Sequence, residues 1–69
     1  MKTAKKYYIK ERNNYQSIYY CAEGQLSKAA AKRMENSIHG INVMHAFDTE
    51  EAYNARLAYL RKKGERVLT

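Results

Sequence analysis

A lone cysteine, Cys21, does most to narrow what this chain can fold into. A chain of 69 residues buries only about 60% of the surface it exposes when unfolded, so apolar burial barely exceeds the conformational entropy lost. Domains this small are commonly stapled by disulfides or a structural metal. One thiol forms no internal disulfide, and with only His39 and His45 as further soft ligands no four-ligand metal site is supplied. Stability is left to regular local structure within one domain over 1–69, with homodimer formation as a further source. A reduced thiol, and a basic N-terminus too short and too charged for a signal core, lead us to expect a cytoplasmic chain that spans no membrane.

There is no proline, and glycines mark the boundaries instead. Residues 5–12 are rich in strand formers, with Tyr7, Ile9 and Glu11 on one face and Lys6, Tyr8, Lys10 and Arg12 on the other. Asn13-Asn14 suits a tight turn, because Asn tolerates positive φ. Residues 17–22 then return as a second strand, making an N-terminal hairpin. Leu26, Ala30, Met34 and Ile38 recur every four residues and predict a helix over 26–38, with Gly40 as its stop. Ile41, Val43, His45 and Phe47 alternate with Asn42, Met44 and Ala46, predicting a strand whose first set faces the core.

Asp48-Thr49-Glu50-Glu51 opens a second helix, since either of the first two caps it and the glutamates suit its positive end. That helix runs to about Lys63, buries Tyr53, Leu57 and Leu60, and ends at Gly64. Arg66-Val67-Leu68 is a candidate short edge strand. The expectation is an α+β fold of order ββαβα with an optional last strand. Both helices are expected on one face of a three- or four-stranded sheet, the other face being left to solvent.

Thirteen Lys and Arg against seven Asp and Glu give a net charge of +6. Residues 1–12 concentrate the excess, with five cations and one anion. Such a balance favours polyanionic partners and disfavours an acidic nucleic-acid mimic. On an open sheet face, Lys6, Tyr8, Lys10 and Arg12, joined by Tyr19 or Tyr20 from the neighbouring strand, would alternate cations that track phosphates with rings on which bases stack. Lys28, Lys32 and Arg33 form a second basic strip on the first helix. No helix-turn-helix spacing, zinc-finger pattern or aromatic RNA-binding signature is present, so sequence-specific readout is not expected.

No catalytic set is assembled. Asp48, Glu50 and Glu51 are explained by the helix start, nothing orients a Cys–His pair, and no phosphate-cradling glycine loop exists. No cofactor and no metal are expected. The Tyr8-Ile9-Lys10-Glu11 strand, Leu26-Ser27 opening a helix with Ala31-Lys32-Arg33, and His39-Gly40 followed by Val43-Met44 resemble a small, basic type I-F anti-CRISPR group over about half the chain. The sequence departs from that group after Phe47, where a helix over about 49–63 replaces the group's strands. The resemblance implies a phage or prophage accessory protein, and no binding residue is carried over from it. Two partners follow: nucleic acid, or a host protein complex that handles nucleic acid.

Overall fold

The computed structural model describes residues 5–14, 17–36 and 40–68; the expected roles of Ile38 and His39 fall outside them. Six elements follow in the order β1 (Lys5–Asn14), β2 (Ser17–Ser27), α1 (Lys28–Glu35), β3 (Ile41–Phe47), α2 (Glu50–Lys63) and β4 (Val67–Leu68). They make an α+β fold with a four-stranded mixed sheet ordered β3-β1-β2-β4. β1 pairs antiparallel with both β2 and β3, while β4 pairs parallel with β2.

The N-terminal hairpin is longer than its composition indicated. Asn13 and Asn14 are not the turn but continue the strand, opposite Ile18 and Ser17. The Asn14 carboxamide oxygen accepts from the Ser17 backbone N–H at 2.9 Å, tying the facing ends of the two strands together. β2 also outruns its expected end. Its register on β1 slips between Tyr8 and Ile9, Ala22 facing Ile9 and Gly24 facing Tyr8, which leaves Glu23 as an extra residue. Gly24 has φ +74°, the left-handed conformation that glycine adopts without steric cost. Leu26 therefore closes a strand instead of opening a helix, and Ser27 becomes the N-cap of α1, accepting from the Ala30 N–H at 3.2 Å.

The two helices lie on opposite faces of the sheet, not together on one. Ile9 packs with Leu57 and Leu60 of α2, with Tyr20, Ala22, Phe47, Tyr53 and Val67 around them. Its neighbour Tyr8 must point the other way. That side chain is only 6% exposed, in a depression it shares with Lys28, Ala31, Lys32 and Glu35 of α1. Topology supplies the reason. β2, β3 and β4 all run parallel, but β2–α1–β3 crosses the sheet one way and β3–α2–β4 crosses back. One face for both helices would give the two crossovers opposite hands, and left-handed ones make up only about 2% of such connections.

α2 starts and stops where its sequence indicated. Thr49 accepts from the Ala52 N–H at 3.1 Å, Glu50 and Glu51 occupy the first turn, and Arg61, Lys62 and Lys63 the last. Gly64 closes it at φ +92°, its N–H and that of Glu65 bonding back to Arg61 and Leu60. β3 departs from expectation in burial. Of its supposed core set, Phe47 packs against the core, whereas Ile41, Val43 and His45 are exposed. No described helix is long and apolar enough to cross a membrane.

Candidate nucleic-acid interface

Strand alternation and register assign each candidate side chain to a face. Lys6, Tyr8, Lys10 and Arg12 share the α1 face of β1; Arg12 lies directly opposite Tyr19 on β2, and Lys10 opposite Cys21. The expected cation–tyrosine face therefore exists, but α1 roofs one end of it. Tyr8 is lost as a stacking platform, because the small Ala31, itself buried, lets the helix settle close over it. The same roof brings two helix cations to the sheet. Lys28 and Lys32 border the depression containing Tyr8 and Met44, and Met44 is the β3 partner of Lys10. Arg33 stays apart: about 200° around the helix from Ala31, it projects into solvent.

Carboxylates hold several of these cations. Lys6 Nζ lies 3.2 Å from Asp48 Oδ1, Lys32 Nζ 3.9 Å from Glu35 Oε1, and Lys10 Nζ 3.9 Å from Glu23 Oε2. The first two pairs are largely solvent-exposed and worth about 0–1 kcal/mol, so a phosphate can displace them. The Lys10–Glu23 pair is mostly covered and holds the bulged residue of β2 against β1.

Arg12 donates a long hydrogen bond, 3.5 Å, to the side-chain oxygen of buried Asn42. On the other flank of Tyr19, the Arg66 guanidinium lies 5.9 Å from the ring centroid, within cation–π range. β4 brings it there: Val67 pairs with Tyr20, and the Arg66 carbonyl accepts the Tyr20 N–H at 2.8 Å. Sequence reading missed Arg66 as a site residue. Its signal was the short strand 66–68, which carries meaning only once β4 is known to lie beside β2. The outcome is a half-buried tyrosine with the Arg66 guanidinium beside its ring and Arg12, turned towards Asn42, as its cross-strand neighbour, with Lys10 one row along.

The opposite face holds groups of a different kind. His45 Nε2–H donates to Glu11 Oε1 at 2.8 Å, and this pair lines a small hollow with Tyr20, Arg56 and Phe47. His45 is thus an exposed side chain hydrogen-bonded to Glu11, not a core histidine. Among the described residues no cluster of His, Cys, Asp and Glu is able to hold a metal ion. On α2, exposed Tyr59 has the Arg56 guanidinium 4.9 Å and the Lys63 ammonium 5.9 Å from its ring centroid, a stripe that sequence reading also passed over. No protein-family model, curated protein or solved structure matches this chain.

Proposed function

We propose that this chain is a non-catalytic accessory protein that binds nucleic acid by its backbone, largely without reading sequence. The observation that carries this reading is the Arg66 guanidinium beside the Tyr19 ring, with Arg12 the cross-strand neighbour of Tyr19, on the open part of the α1 face. Arginines beside a stacking ring are the pairing that sequence-tolerant single-strand binders use. Lys28 and Lys32 extend the positive surface along the roofed end, and Lys6 joins them when Asp48 gives way.

The test is fluorescence anisotropy with a generic single-stranded oligonucleotide over a salt series. Three to five phosphate contacts predict a log–log slope of roughly −2 to −3.5. Arg12→Gln and Arg66→Gln should each make that slope shallower by about 0.7, and Tyr19→Ala should cost about 1–3 kcal/mol of binding. Tyr8→Phe should change nothing. A flat salt response removes the reading. A second reading, a module docking on a host nucleic-acid-processing complex, draws on Tyr59 and Arg56, residue types that anchor protein interfaces. Host proteins that stay bound after nuclease treatment, and are lost with Tyr59→Ala, would favour it instead.

A further inference from the structure

The two edges of the sheet are treated differently. β4 is two residues long, and shortness is one of the devices that blunt an edge. β3 has seven residues, Ile-Asn-Val-Met-His-Ala-Phe, with no Lys, Arg, Asp, Glu or Pro to guard its outer row of backbone N–H and C=O groups. Among the described residues, no strand pairs with that row. The adjoining surface is apolar. Ile41 is 65% exposed and Val43 38%, and Ile18, 46% exposed, joins them because Asn13 pairs with both Ile18 and Ile41.

We propose that β3 pairs antiparallel with β3 of a second copy, making a two-fold dimer whose sheet runs through both chains. The strand is complementary to itself. Centred on Met44, the pairing sets Ile41 against the partner's Phe47 and Val43 against the partner's His45, and β-branched residues beside aromatic rings are favourable cross-strand neighbours. No charges oppose one another along the strand, although each chain carries +6. Charge complementarity fixes the direction. Exposed Glu50 and Glu51, and Asp48 with its Lys6 partner, follow the C-terminal end of β3, while Arg12 sits at its N-terminal end on Asn42. Antiparallel pairing brings each acidic turn towards the partner's Arg12; parallel pairing would set like ends together. The dimer also covers Ile41 and Val43, enlarging a core too thin to be comfortable alone. This proposal does not depend on nucleic-acid binding.

Sedimentation velocity on the full chain, without nucleic acid, tests it across a concentration series. The wild-type chain should pass from monomer to dimer as concentration rises. Ile41→Lys and Val43→Lys, both at exposed positions, should each weaken dimerisation by about tenfold or more, since every dimer receives the new charge twice. A wild-type monomer at every concentration overturns the proposal, and so does a dimer indifferent to both lysines. Hydrogen exchange on the wild-type chain guards against a variant that fails to fold. The β3 amides facing away from β1 should gain protection with concentration, and protection gained at β4 or α2 in their place is equally fatal.

Discussion

Tyr20 and Cys21 are neighbours on β2 that point to opposite faces, and each meets a carboxylate there. Burial raises the Tyr20 phenol above its usual pKa, Glu11 and Glu65 push it further, and Arg56 pulls it back. Burial also raises the Cys21 thiol, with Glu23 in the same direction and Lys10 and Arg12 opposing. Both shifts favour the neutral form in the folded chain. Their stabilisation is fully present below the ordinary thiol and phenol pKa values and is lost as pH rises through the higher folded values, where the unfolded chain releases protons first. Urea melts should therefore show midpoints falling on the alkaline side, and the Tyr20→Phe/Cys21→Ala double variant should fall less. Parallel curves for the two proteins would refute that account. At the same scale, Tyr8 shows why a tyrosine on an alternating basic strand is ambiguous. The pattern fixes which face it takes, but whether a helix covers that face is decided by residues twenty or more positions away.

Elements were legible where their ends carry chemistry. Thr49, Glu50, Glu51 and Gly64 announce α2 on their own, because capping and left-handed closure are local events. Thr49→Ala should cost about 1 kcal/mol in chemical denaturation. Gly64→Ala should cost about 1–2 kcal/mol through its backbone conformation alone, since a Cβ there meets nothing within 4 Å. Losses near zero at both sites would mean that tertiary packing, not capping, sets the helix bounds. α1 is shorter than its periodicity indicates, for the converse reason. Leu26 fits a four-residue period, yet it pairs with Lys6 across a hairpin whose register slips at Glu23, and a slipped register leaves no periodic trace. The exposure of Ile41 and Val43 was hidden in the same way: alternation assigns a face, and α2 does not extend over all of it. Arg66 and Tyr19 are 47 positions apart in sequence (19 to 66) and meet only through the parallel pairing of β4 with β2.

Whole-molecule shape joins the two proposals without making either depend on the other. Strands related by antiparallel edge pairing within one sheet share a two-fold axis perpendicular to that sheet, so the α1 faces of both copies would look the same way. Arg12, Tyr19 and Arg66 would then appear twice on one broad surface, one set on each side of the paired β3 strands. An oligonucleotide long enough to cross the seam would neutralise both sets, and its salt slope should approach twice that of an oligonucleotide confined to one copy. Val43→Lys separates the contributions, because it leaves Arg12, Tyr19 and Arg66 in place while opposing the dimer. With that variant, long and short oligonucleotides should give the same slope, equal to the short-oligonucleotide value of the wild-type chain. If wild type and variant show equal slopes on the long oligonucleotide, the two faces do not act on one strand, and each copy binds alone.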